Sequence, residues 1–131
     1  MTSECPHCSA SRVTVSVPTE LTTYTSSPAI SYCQRCLSVE AGEPTAATDE
    51  PSFEAIHTRF PTGDVGVGML VLIDKLDSLA LNRSEIESLI EYLESNGVDL
   101  FLTLDRLLAE PTIEPRIDLG RRRTQLDSLL K

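Results

Sequence analysis

Four cysteines in two close pairs are the residues of this chain best suited to chemistry. Cys5 and Cys8 stand in "CPHC", Cys33 and Cys36 in "CQRC", and 24 residues separate the pairs. Three chemistries compete for them. A disulfide framework suits short secreted chains, but "MTSECPHC" has neither a basic start nor an apolar h-region, so no secretion signal is expected. A redox dithiol is suggested by the "CPHC" string, which resembles the active-site tetrapeptide of periplasmic disulfide oxidases. That chemistry needs a strand leading into the motif and a helix opening from it, so that the helix N-terminus steadies the thiolate. Only four residues precede Cys5, and the second pair would have no role.

A metal site uses all four residues. Two residues between cysteines let the backbone turn tightly and aim both sulfurs at one ion. Two such knuckles give a tetrahedral four-thiolate shell with Zn–S near ~2.3 Å. The expectation is one structural Zn2+ held by Cys5, Cys8, Cys33 and Cys36, although four sulfurs also suit iron. His7 lies inside the first knuckle and is read as a solvated residue, since the ligand set is complete without it. Zinc ribbons often carry Gly just after the second cysteine of a knuckle, where the backbone turns left-handed; here Ser9 and Leu37 stand there.

The elements that must position these cysteines follow from hydrophobic period. "RVTVSV" alternates, with Val13, Val15 and Val17 on one face, and "AISYC" can return as its partner, so residues 1–37 read as a β-hairpin zinc ribbon. "SVEAGEPTAATDEP", residues 38–51, reads as an acidic linker. Residues 52–131 then change to helical period. "PSFEAIHTRF" suggests a short helix capped by Ser52, with Phe53, Ile56 and Phe60 inward and His57 beside them as a packing residue.

Residues 63–81 predict the strongest helix. Its broad apolar face carries Val65, Met69, Leu72, Ile73, Leu76, Leu79 and Ala80. Val67, Gly68 and Val71 lie opposite, as a candidate homodimer contact. In "NRSEIESLIEYLESNG", Ser84 and Glu87 suggest a capping box, Ile86, Leu89, Ile90 and Leu93 the core face, Glu87, Glu91 and Glu94 a solvated face, and Asn96-Gly97 a left-handed end. Asp99 caps a helix bearing Leu100, Leu104, Leu107 and Leu108, ended by Pro111. Asp118 caps a last one, about 119–130, with Leu119, Leu126, Leu129 and Leu130. The fold class is therefore α+β: a small N-terminal ribbon followed by a bundle of four to five short helices. If the ribbon is a self-contained unit folded by its metal, the helices should survive its loss.

Charge narrows the partners. Asp and Glu total 20 against 11 Lys and Arg, and only Lys75 and Lys131 are lysines. An acid-rich, lysine-poor chain is what a high-salt cytoplasm selects, because screening there is short-ranged. A net charge of -9 argues against nucleic acid in ordinary salt. The basic triplet 121–123 reads as arginine stems laid on the core and paired with local acids, with Arg121 outward. No apolar run approaches the ~20 residues of a membrane helix, and a cytoplasmic location is expected. No Gly-rich phosphate loop, His/carboxylate cluster or Ser-His-Asp arrangement is found, so no enzyme activity is expected.

Together, the "CPHC…CQRC" ribbon, the acidic linker and "LDSLALNRSEIESLIEYLESNGVDLFLTLDRLLAEP…DLGRRRTQLDSLL" resemble a family of small haloarchaeal zinc-ribbon proteins with no assigned activity. The resemblance spans nearly the whole chain. It implies a haloarchaeal cytoplasm and carries Cys5, Cys8, Cys33 and Cys36 over as metal ligands, without a mechanism. The functional expectation is a non-catalytic zinc-ribbon binding or adaptor protein for an unidentified protein partner. The alternative is a nucleic-acid-binding ribbon acting in transcription or translation.

Overall fold

A computed structural model describes residues 4–25, 27–49 and 51–130; Ser26 of the expected hairpin loop and Glu50 of the expected linker lie outside them. Strands β1 (Arg12–Ser16), β2 (Ala29–Cys33) and β3 (Val39–Ala41) form an antiparallel sheet with β2 in the middle. Register pairs Arg12 with Cys33, Val15 with Ile30, and Tyr32 with both Val13 and Val39. Because side chains alternate along a strand, Val13, Val15, Ile30, Tyr32 and Val39 share one face. Arg12, Ser31, Cys33 and Glu40 share the other.

The expected hairpin is present, with two additions. A 3-10 turn, Thr19–Tyr24, joins β1 to β2 and sends Leu21 into the core. The segment 38–51, read as a linker, contributes β3 and a 3-10 turn, Pro44–Ala46. Its acid and alanine content is that of an edge strand: Val39 is half-buried while Glu40 and Ala41 are exposed, so one apolar residue suffices.

Four helices follow: α1 (Gly63–Lys75), α2 (Arg83–Ser95), α3 (Leu100–Ala109) and α4 (Leu119–Leu130). Helix α1 is buried without a break from Gly66 to Ile73. It lies between the sheet and the other helices, which is why it is apolar all round. Val67, Gly68 and Val71, the expected dimer contact, are buried within the chain itself. A methyl group at Gly68 would sit 3.0 Å from the Tyr92 ring and 3.5 Å from Leu21. One hydrophobic cluster runs from Val15, Ile30, Tyr32 and Leu37 through Phe53, Leu70 and Leu72 to Leu104 and Leu126.

Helix ends mix expected and unexpected chemistry. The amides of Gly97 and Val98 bond the carbonyls of Glu94 and Leu93, both at 3.0 Å, and Gly97 takes φ +81; this is the anticipated left-handed end of α2. Asp99 and Asp118 accept from the amides of Leu102 and Arg121, each at 3.1 Å. The capping box does not form. Helix α2 starts two residues earlier than it requires, with Asn82 rather than Ser84 at the cap, and Glu87 pairs with Arg83 at 3.2 Å. The expected helix 63–81 ends at Lys75 and tightens into a 3-10 turn, Leu76–Ser78. Asn82 donates its side-chain amide to the Lys75 carbonyl at 3.2 Å, and Ala80 is exposed rather than inward. "PSFEAIHTRF" forms only a single 3-10 turn, Phe53–Ala55, yet Phe53, Ile56 and Phe60 are buried as expected. Phe53 stacks on Tyr32 and meets Phe60 at a tilt, with ring centroids 5.7 and 5.8 Å away. On α3 the buried stripe takes Thr103 in place of Leu108, which is exposed.

Candidate metal centre

The two knuckles are built alike. In the first, the His7 amide donates to Cys5 Sγ at 3.4 Å, and the Ser9 amide to the Cys5 carbonyl at 2.9 Å. In the second, Arg35 and Cys36 amides donate to Cys33 Sγ at 3.4 Å, and the Leu37 amide to the Cys33 carbonyl at 3.1 Å. Ser9 and Leu37 adopt φ of 63 and 61, so each takes the left-handed turn that Gly usually supplies. That conformation costs a side-chain-bearing residue about 1–2 kcal/mol. Leu37 offsets the cost by burying its side chain in the main core, which ties the second knuckle to the helices.

These turns gather Cys5, Cys8, Cys33 and Cys36, whose sulfurs all lie within 4.8 Å of one another. Cys5 and Cys36 approach to 3.5 Å, Cys8 and Cys33 to 3.4 Å. A tetrahedral ion with sulfur at ~2.3 Å would space its ligands by about 3.8 Å, so the group can hold one metal ion. The cysteines are free, and a disulfide would need sulfurs at ~2.05 Å. Cys5, Cys33 and Cys36 are buried and Cys8 half-buried. Burial pushes the Cys33 thiol up to about 12 and raises Cys36. Burial also acts to raise Cys5, but hydrogen bonds from the Ser38 hydroxyl and the His7 and Cys8 amides bring it down to about 5.

Two residues around the sulfurs had no place in the sequence reading. Ser38 Oγ lies 3.2 Å from Cys36 Sγ and 3.5 Å from Cys5 Sγ. Arg12, on the sheet face that carries Cys33, reaches Cys5 Sγ at 3.6 Å and Ser38 Oγ at 3.1 Å, both through Nη1. The available signal was the alternation of "RVTVSV" itself. If the valines face the core, Arg12 must face away, and hairpin register brings it beside Cys33. The donor set fits one metal ion: four thiolates can close a shell around it, next to the buried guanidinium of Arg12.

The two knuckles differ in cover. The Glu114 amide donates to the Arg35 carbonyl at 2.8 Å, and the Arg116 amide to the Cys36 carbonyl at 3.0 Å. Arg35 also pairs with Glu114 at 3.0 Å, so the α3–α4 connection straps the second knuckle down. The tip of the first, Pro6 and His7, is exposed. His7 is outside the sulfur cluster, which is the only group of three or more potential ligands among the described residues that could hold a metal ion. His57 is half-buried, and its Nδ1 accepts from the Arg59 amide at 3.0 Å.

Within the basic triplet, Arg123 grips Asp105 through two bonds of 3.0 and 3.2 Å and lies 4.9 Å over the Phe101 ring. Arg122 bonds the Asp77 carbonyl at 3.1 Å and Gln125 at 3.0 Å, rather than the carboxylate expected. Arg121 is exposed, as expected.

Among the described residues, no helix is long and apolar enough to cross a membrane. No curated protein and no solved structure matches the chain significantly. A family model does, from just before the first knuckle to the end of α4: over residues 4–130 the chain belongs to DUF6276, a family of unknown function.

Proposed function

We propose that this is a small, non-catalytic zinc-ribbon adaptor, in which four cysteines hold one structural Zn2+ and the exposed first knuckle meets a protein partner. The observation that carries the reading is the closed sulfur shell. Four sulfurs within 4.8 Å of one another are enough to complete a tetrahedral shell around one ion, which would leave no open position for a substrate or an activated water. Soft thiolates favour zinc over harder ions. The covered second knuckle and the free tip at Pro6 and His7 support an outward-facing first knuckle. The acidic, lysine-poor composition supports a high-salt cytoplasm as its setting.

Two measurements test this. Elemental analysis should find one zinc per chain, lost in Cys33→Ser; a folded, metal-free protein with four free thiols refutes the zinc site. Capture of the tagged protein from its own cells should retain a partner that the His7→Ala, Pro6→Ala double variant loses. Nucleic acid binding that persists in molar salt with a nonspecific competitor would instead favour a nucleic-acid ribbon.

A further inference from the structure

Arg12 is 5% exposed, and every nitrogen of its guanidinium is engaged. Nε donates to Ser31 Oγ at 3.1 Å, Nη2 to the carbonyls of Ser31 at 2.7 Å and Ser38 at 3.4 Å, and Nη1 to Ser38 Oγ and Cys5 Sγ. The oxygens are neutral. Glu40 pairs with it only at long range, 3.9 Å, with its side chain 51% exposed, and Glu4 and Glu43 line the same open surface cavity, so these carboxylates face solvent, where water screens them. Arginine is always charged, and a buried charge compensated only by a distant, solvent-screened carboxylate is expensive. A sheet that only needed polar cross-linking at this position would not need a permanent cation.

A closer and more buried anion would be the sulfur shell beside it. A divalent ion bound by four thiolates carries a net charge of -2, and a trivalent ion with the same ligands carries -1. A fixed positive charge in contact with Cys5 stabilises the more negative shell more strongly. Ser38, bonded to Arg12 and within reach of both Cys5 and Cys36, carries the same polarisation to the second knuckle. Resting on the metal reading above, we propose that Arg12 is the charge-compensating positioning residue of the four-cysteine centre, and that with Ser38 it biases the site toward a divalent ion.

The test compares wild type with Arg12→Met, Arg12→Lys and Ser38→Ala, each checked for folding by circular dichroism. Zinc retention is measured at fixed pH and salt by competition with a chromogenic chelator. Arg12→Met should lose affinity by about 10–100-fold, the range seen for partners that orient metal ligands, and Arg12→Lys should recover part of it. The same proteins loaded with iron give a second readout. The reduction potential should fall in Arg12→Met, because losing the cation disfavours the more negative reduced shell. If Arg12→Met does not fold, Arg12→Lys and Ser38→Ala carry both measurements, with smaller losses in the same direction. A wild-type protein that takes up no metal overturns the metal reading and this one together. A wild type that holds metal, with folded variants matching its affinity and potential, overturns this one alone.

Discussion

Removing the metal should unfold the helices along with the sheet. Cys33→Ser deletes one ligand at the end of β2, the central strand. The sheet and its knuckles place Val15, Ile30, Tyr32, Leu21 and Leu37 in the same buried cluster as Phe53, Leu70 and Leu72. Full burial of such a side chain contributes about 1.5–3 kcal/mol, so these five contribute on the order of 8–15 kcal/mol, an upper bound because unfolded chains are already partly collapsed. The net stability of a whole domain is about 5–15 kcal/mol. Helices deprived of the sheet would therefore lose as much as the fold has to spare. The metal itself supplies an apparent ~10–16 kcal/mol in small zinc-finger peptides, enough to decide whether the sheet forms. The assay is far-UV circular dichroism during chelation and on Cys33→Ser. Helix signal and bound metal should disappear in one cooperative step. A metal-free Cys33→Ser protein that keeps the parent's helix signal and melting transition would refute this and restore the picture of an independent ribbon.

Three further outcomes can be measured by thermal or urea denaturation. Arg122→Ala removes the tie between α4 and the Asp77 carbonyl, and Arg123→Ala the half-exposed pair with Asp105 and the Phe101 contact. Each should cost about 0.5–1.5 kcal/mol, against less than about 0.5 for Arg121→Ala; an Arg121→Ala cost larger than either would overturn the assignment. Gly66→Ala puts a methyl group 2.5 Å from the Pro61 carbonyl oxygen and 2.7 Å from the Phe53 ring, so it should destabilise by about 1–3 kcal/mol. At Gly68 the nearest atoms belong to the half-exposed Tyr92 ring, which can give way, and the ~1 kcal/mol helix preference of Ala over Gly should leave Gly68→Ala near neutral; equal losses at the two sites would contradict the packing. Asp74 has its carboxyl raised by burial, against the opposing pull of Arg116 and Lys75. The native state therefore holds this proton longer than the unfolded chain does, and stability falls as pH rises from the usual carboxylate value of ~3.9 through the raised one. Asp74→Asn should flatten that decline and stabilise the protein at neutral pH, and a steeper decline would be the wrong sign.

Much of this was legible because it rests on local rules. Two CxxC knuckles can converge only by a hairpin, and "RVTVSV" with "AISYC" is one. Ile86, Leu89, Ile90 and Leu93 mark a helix face with no competing period. The failures share another cause. β3 is three residues long with one apolar side chain, too short to show alternation. Val67, Gly68 and Val71 announced a covered surface, but periodicity does not say whether the cover is another subunit or the chain's own sheet and Tyr92. Ser84 and Glu87 had the spacing of a capping box, yet Arg83 already lay inside the helix and took Glu87 for itself. Arg12 was hidden because its role appears only once register sets it opposite Cys33.

The strap across the second knuckle also sets a timetable for synthesis. All four cysteines precede residue 37, so an emerging chain can gather its metal early. The amides that seal Arg35 and Cys36 belong to Glu114 and Arg116, about eighty residues later. At a translation rate of ~5–20 residues per second, the Arg35 and Cys36 carbonyls wait roughly 4–16 s for their cover, while α1 reaches the sheet's apolar face about midway. Contacts this distant in sequence close slowly as well. A metal ion gathered in that interval would hold Ile30, Tyr32 and Leu37 in place, as a template on which α1 and then the strap settle as they arrive.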